Sequence, residues 1–199
     1  EQILASRPAA NEVASMVSTF LLVVLSQPFT VKTVDDGVEV SWRAVPGSGF
    51  AELRFVGEST GEVEALCAKA FGTGKFDPDE PHLVSRTLIT DLGDERVTWD
   101  EIAPPMVSRR DYVMRSVRSH SPGKCRIDFD AFDDPAHPPR EGVVRLSALR
   151  GSFSFEVVGA RVRVEHRVHM DPGGLLAPFV VERARERMSL AWMKRLLSK

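Results

Sequence analysis

Apolar and polar residues alternate with a period of two through most of this chain, and group at helical spacing only near its two ends and once between. Phe29, Val31 and Thr33 alternate with Thr30 and Lys32, and Val38, Val40 and Trp42 alternate with Glu39, Ser41 and Arg43. Asp36-Gly37 between them is a turn signal, so the pattern predicts a hairpin with one buried face. Gly47-Ser48-Gly49 turns the chain into a third strand over 50–58. Further strands are expected at about 84–91, 95–102, 110–118 and 123–132, then across 143–159 and 160–170. Prolines at 104–105 and 138–139 keep the intervening loops out of any ladder.

Three stretches read as helix. Over 9–26, Asn11 can cap, Val13, Met16, Val17, Phe20 and Val24 recur at helical spacing, and Pro28 stops the run. A piece of a signal sequence is the rival reading. Residues 60–71 put Val63, Leu66, Cys67 and Ala70 on one side. From Gly174 to Ser198 the pattern predicts one helix about 37 Å long, with Pro178 in its first turn. Leu176, Val180, Ala184, Met188, Ala191 and Trp192 form its apolar stripe, and Glu182, Arg183, Arg185, Glu186, Lys194 and Arg195 its wet side. The expected organisation is a single α+β domain over 1–199: an N-terminal helix (1–27), a sheet with a helical insert (28–172) and a terminal helix (173–198). Strands in sequence joined by short turns predict an antiparallel sheet. Its concave face is suited to cover by the long terminal helix.

The period of two also assigns faces. Tyr112, Met114 and Ser116 share one side of their strand, and Asp111, Val113, Arg115 and Val117 the other. Cys125, Ile127 and Phe129 point inward, as do Phe153, Phe155, Val164, His166 and Met170. His169 falls on a charged outer wall with Arg161, Arg163, Glu165 and Arg167. An apolar lining with a few hydroxyl or imidazole groups suits a pocket for an apolar ligand, and it equally suits a solidly packed sandwich.

Composition narrows the classes. The 199 residues carry a formal net charge of −2, so no global field draws the chain to nucleic acid. The arginines of 108–118 do not share one face, which argues against a nucleic-acid stripe. The apolar run 20–25 is too short to span a bilayer. Cys67 and Cys125 lack metal spacing and are expected as free, buried thiols, favouring a reducing compartment. The phosphate-loop likeness at 71–76 fails at Lys69 and at Phe76. Asp128 and Asp130 lie on an outer face, and His166 and His169 fall on opposite faces, so no metal site is expected. Ser152 sits in no nucleophile elbow. No cofactor is implied, and no catalytic residue is assigned.

Several strings, in this order, resemble the START family of lipid-transfer domains related to steroidogenic acute regulatory protein, in its bacterial, single-domain form. They are DDGVEVSWRAVPGS at 35–48, PPMVSRRDYVMR at 104–115, PPREGVVRL at 138–146 and VHMDPGGLLAPFVVERA at 168–184. The likeness spans about residues 28–198 and implies a helix-grip fold, a curved antiparallel sheet wrapped around the long C-terminal helix, with an internal hydrophobic cavity for one lipid. It further implies access near 103–108, 133–141 and the helix start at Leu175, Leu176 and Phe179. Ser116 stands where sterol-binding members similar to this chain carry an inward arginine, and Val97, Thr98 and Trp99 stand near its acidic partner. A neutral or differently oriented apolar ligand therefore fits as well as a sterol.

The ligand-contacting set expected on these grounds is Trp99, Tyr112, Met114, Ser116, Ile127 and Phe129, then Phe155, His166, Met170, Leu176, Phe179 and Val180. The expected function is non-enzymatic binding, and transfer or sensing, of a lipid or other apolar small molecule by a monomer that touches membrane surfaces transiently. Nucleic acid is not an expected partner. The alternative is an aromatase/cyclase acting on a polyketide-like substrate through Tyr112, Ser116 and His166; a third reading is an interaction module with a filled core. A cytoplasmic location is expected, with a periplasmic or secreted one open because the sequence starts at Glu1.

Overall fold

The computed structural model describes residues 27–78, 80, 82–104, 107–146, 148–174, 176 and 178–198. The helix expected over 9–26, and Leu175, lie outside the described residues. The described elements are β1 (Thr30–Asp35), β2 (Val38–Arg43), β3 (Glu52–Ser59), α1 (Val63–Phe71), β4 (Leu83–Asp91), β5 (Glu95–Ile102), β6 (Arg110–Ser121), β7 (Lys124–Phe132), β8 (Val144–Arg145), β9 (Ala148–Val158), β10 (Arg161–Asp171) and α2 (Pro178–Leu197).

Their order in the sheet is β1-β2-β3-β10-β9-β7-β6-β5-β4, antiparallel throughout, with the short β8 pairing parallel to β6 off this path. After β3 the chain crosses to the far edge through α1, then returns strand by strand until β10 closes against β3. The result is an open antiparallel sheet gripping a C-terminal helix, the helix-grip fold. Strands β4 to β7, β9 and β10 all present residues to one cavity, which requires the sheet to curve. Gly151 marks a tight point of that curve. A Cβ there would lie 2.1 Å from the Arg167 carbonyl oxygen and 2.5 Å from the Phe129 ring, so only glycine lets β7, β9 and β10 close up.

Several local expectations need correction. The first hairpin buries a face only on β2, through Val38 and Val40. Strand β1 is an exposed edge, with Val31 and Val34 in solvent and a register shift between Val31 and Thr33. Helix α2 starts at Pro178, not Gly174, because Gly173 and Gly174 take left-handed φ values of 67° and 71° that turn the chain before the helix. Its covered side is wider than the expected stripe: Val180, Ala184, Met188 and Trp192 face the interior as expected, Val181, Arg185, Met193 and Leu196 are buried beside them, and Ala191 is exposed. His169 is buried too, its Nε2 3.0 Å from the Ser48 hydroxyl in the turn that covers that end of β10.

The cysteines are the plainest correction. Cys67 of α1 and Cys125 of β7 form a disulfide, with Cα atoms 6.2 Å apart and a sequence separation of 58 residues. The pairing ties α1 to the sheet face over β7 and β9. A period of two could place Cys125 inward, but only the crossover of α1 brings Cys67 above it. Closing a loop of this length should contribute about 2–4 kcal/mol. Denatured, unreduced protein should show no titratable thiol, and reduction should lower stability in urea by that order. Two free thiols before reduction would remove the bond from the structure.

Candidate functional site

A cavity of about 830 Å³ lies between the sheet and the C-terminal half of α2. Its wall is assembled by alternation on successive strands: Thr98 and Ile102 from β5, Tyr112, Met114 and Ser116 from β6, and Ile127 and Phe129 from β7. Leu149 and Phe153 follow from β9, then His166, Val168 and Met170 from β10. Met188, Ser189 and Trp192 of α2 form the roof. The aromatic groups lie against one another, Phe153 stacked on His166 at 4.0 Å between centroids and tilted against Trp192 at 4.5 Å. Curvature leaves a space that one helix covers without filling.

His166 is the imidazole of the inner wall, and its state is fixed by its neighbours. Its Nδ1 lies 3.2 Å from the Ser152 carbonyl oxygen, which can only accept, so Nδ1 carries the proton. Burial pushes the ring's pKa down to about 4, against the smaller opposite pull of that hydrogen bond. The imidazole is therefore neutral at pH 7, and Nε2 is left as an acceptor without a protein partner among the described residues. Thr98 supplies a second handle, since its Oγ1 is buried without a hydrogen-bond partner among the described residues.

A charged corner closes one side. Arg86 of β4 reaches Asp100 of β5 through two bonds, Nε to Oδ1 at 2.9 Å and Nη2 to Oδ2 at 2.7 Å, and Glu80 through Nη1 at 2.9 Å. Burial opposes the Arg86 charge, but the bond and charge of Asp100 and the charge of Glu80 outweigh it and raise its pKa. Burial, and next the Asp100 carboxylate, push the Tyr112 hydroxyl well above its ordinary pKa. Asp100 is fully buried, so the pair satisfies itself and leaves Tyr112 protonated. An inward ion pair does exist, then, although Val97, Thr98 and Trp99 had suggested none. The acid sits one residue beyond Trp99, and its arginine comes from β4 rather than from the position of Ser116.

The expected set divides three ways. Tyr112, Met114, Ser116, Ile127, Phe129, His166 and Met170 line the wide cavity. Leu176 and Val180 line a narrow pocket of about 80 Å³ under the first half of α2. Trp99, Phe155 and Phe179 line neither. Trp99 is on the outer face of β5, its Nε1 donating to Asp111 at 2.9 Å under the Arg140 guanidinium. Phe155 is paired with Cys125 and buried beneath α1. Phe179 is 74% exposed. The expected set left out Met188 and Trp192, although both belong to the apolar stripe of the terminal helix, and the pattern missed Arg86, Thr98 and, behind Arg86, Asp100. The alternation of β5 with Ile102 as an inward residue would have found Thr98 and Asp100.

The loop 133–141 is held on the outside rather than at an opening. His137 packs edge-on to Trp99 at 5.0 Å, and Arg140 binds Glu101 at 2.7 Å. Arg145 holds Asp111 through two 3.0 Å bonds. The exposed rim of the wide cavity is instead the α1–β4 loop, Gly72 to Pro78, where Phe76 is half-exposed. Arg96 fixes that rim by donating to the Phe71 and Gly72 carbonyls at 3.2 and 3.0 Å. A further hollow of about 940 Å³ lies between the β1–β2 turn and the end of α2. It is an open, charge-lined notch on the outer surface, separate from the interior.

No family model matches the chain, and no curated protein does. Solved structures do. A STAR-related lipid transfer protein from Xanthomonas axonopodis is similar with a TM-score of 0.75 and 19% identity, over 85% of this chain and 96% of that one. Human StAR-related lipid transfer protein 5 gives 0.73 and 20%, over 85% and 84%. The chain has the START fold. The Zhui aromatase/cyclase from a Streptomyces species is similar at a TM-score of 0.51 and 12% identity, over 73% of this chain and 90% of that one. The START fold is thus shared with lipid-transfer domains and, more distantly, with cyclases.

The buried imidazole predicts an acid-sensitive core. Its folded pKa of about 4 lies below the ordinary 6.5, so the unfolded chain binds the proton first as pH falls. The stabilisation is complete above pH 6.5 and is lost between 6.5 and about 4, by as much as roughly 3 kcal/mol. Urea midpoints across this range should fall for the native chain and fall distinctly less for His166→Phe. Equal slopes would show that His166 is not the group responsible.

Proposed function

We propose that this chain is a non-enzymatic carrier of a lipid or other apolar small molecule held under α2. The observation that carries this reading is the 830 Å³ cavity, whose sheet wall and helix roof are largely apolar and aromatic while its open mouth at the α1–β4 loop is charged. That volume and composition suit burial of one small molecule. Its affinity would come from apolar area removed from water, at about 25 cal/mol per Å², less the cost of immobilising the guest. Thr98, Ser116 and the Nε2 of His166 would orient it. The similarity to lipid-transfer domains over most of both chains favours the same reading.

The cyclase alternative needs groups that exchange protons at working pH. His166 is a weak base with its pKa near 4, and the Tyr112 proton is held beside Asp100 at a raised pKa. Both favour orientation over catalysis. Native mass spectrometry of the purified chain, followed by solvent extraction, tests the proposal. One apolar adduct per chain, recovered unchanged, is the expected result. A clean apo mass with no uptake from mixed-lipid vesicles would overturn it, and release of a chemically altered guest would favour the cyclase.

Membrane contact is a separate element of the proposal. Phe179 is the large apolar side chain exposed at the start of α2, beside the pocket lined by Leu176 and Val180. Phe179→Asp should slow lipid transfer between vesicles several-fold while leaving bound stoichiometry unchanged. Unaltered transfer would remove the helix start as the docking point.

A further inference from the structure

Among the described residues, two arginines are buried without a carboxylate in salt-bridge distance. Arg110, at the start of β6, and Arg185, on α2, are 2% and 5% exposed. Most arginines around them are paired: Arg86 with Asp100 and Glu80, Arg109 and Arg140 with Glu101, Arg145 with Asp111. Neither Arg110 nor Arg185 has an acidic oxygen within salt-bridge distance among the described residues. Arg110 donates to the Pro172 carbonyl at 3.4 Å and to the Ser108 carbonyl. Arg185 donates through Nη2 to the Ala51 and Val168 carbonyls at 3.0 and 3.4 Å. Its Nε and Nη1 are buried with no partner among the described residues.

Both side chains line the same narrow pocket of about 80 Å³, whose other walls are apolar, among them Val107, Leu146, Leu176 and Val180. Burial lowers the pKa of both, that of Arg185 to about 10, which still leaves it charged at pH 7. Glu182 and Asp171 act on Arg185 only from beyond salt-bridge distance, opposing but not outweighing its burial. Two guanidinium charges thus share a low-dielectric pocket with donors unused among the described residues. Helix α2 begins at the same end with no acidic residue in its first turn, so its dipole adds to the positive potential. Ile102, Val168, Met170, Met188 and Ser189 line this pocket and the wide cavity alike, so the two spaces adjoin along α2.

We infer that the narrow pocket is an anion site, in which Arg110 and Arg185 receive the carboxylate or phosphate of an amphiphile whose chain lies in the wide cavity. A guanidinium offers paired donors in the plane that a carboxylate or phosphate accepts, and the anion would supply the charge this pocket lacks. The inference rests on the carrier reading and sharpens it, from any apolar guest to one with an anionic head.

The test uses the delipidated full chain, with Trp192 fluorescence reporting binding of palmitate, 1-palmitoyl lysophosphatidic acid and hexadecanol at pH 7.4. Palmitate and the lysophosphatidic acid should bind at least tenfold tighter than hexadecanol. Arg185→Met should erase that advantage and leave hexadecanol affinity unchanged. Arg185→Gln, which keeps donors for the Ala51 carbonyl, should do the same if the methionine variant does not fold. Equal binding of palmitate and hexadecanol to the native chain would overturn the anion site and leave the carrier reading intact. So would a variant that loses both equally, since Arg185 would then be a strut between α2 and the sheet. Protection against thermal unfolding by inorganic phosphate alone, without preference between the amphiphiles, would reassign the pocket to a free anion. Binding of none of the three would count against the carrier reading itself.

Discussion

The structure depends on one helix covering a concave sheet that it is too narrow to fill. Helix α2 is anchored at its far end, where Met193 and Leu196 are buried in the core shared with α1 and β2–β3. Lys69 donates to the Arg195 carbonyl at 2.8 Å, and Lys194 bridges Asp35 and Asp36. Before that anchored end, α2 faces the narrow pocket with Val180 and Ala184 and roofs the wide cavity with Met188, Ser189 and Trp192. A close-packed interior would forbid such a space. Here sheet curvature creates it, and the disulfide and the Gly151 contact hold the strands around it.

Polar groups sort by the space they face. On the outer side, Asp111, Glu101, Arg140 and Arg145 satisfy one another and clamp the 133–146 segment to β5 and β6. On the inner side, Arg86 and Asp100 do the same at one corner. Among the described residues, the hydroxyl of Thr98 and the Nε and Nη1 of Arg185 are buried without a partner beside these spaces, and the Nδ1 of His169 is buried without one on the other face of β10. Unmade hydrogen bonds in a buried setting are costly. The Thr98 and Arg185 groups, lying along adjoining pockets, therefore say more about what those pockets hold than the apolar lining does, since that lining would suit many guests.

Alternation on β6, β7 and β10 put Tyr112, Met114, Ser116, Ile127, Phe129, His166 and Met170 on the inner face, and the structure has them there. The same logic carried too far for Phe155, which faces inward but is capped by α1. It was not carried far enough on β5, where Asp100 and Thr98 alternate with Trp99. On α2 the helical wheel assigned Arg185 to solvent because charge is normally exposed. A long helix laid across a sheet buries whichever side meets the strands, and Arg185 is on that side, bonded to the Ala51 and Val168 carbonyls.

The sequence by itself determined the period of most described elements and the turns between them, because these are local consequences of spacing. The START-like architecture was legible only as a resemblance carried by several strings in order. The tertiary structure alone decided that the interior is hollow, that Cys67 meets Cys125, that Asp100 finds Arg86 across a strand, and that Arg110 and Arg185 share a pocket without a carboxylate. Each joins residues whose separation in the chain carries no information about distance. Only sheet curvature and the path of α1 and α2 bring them together.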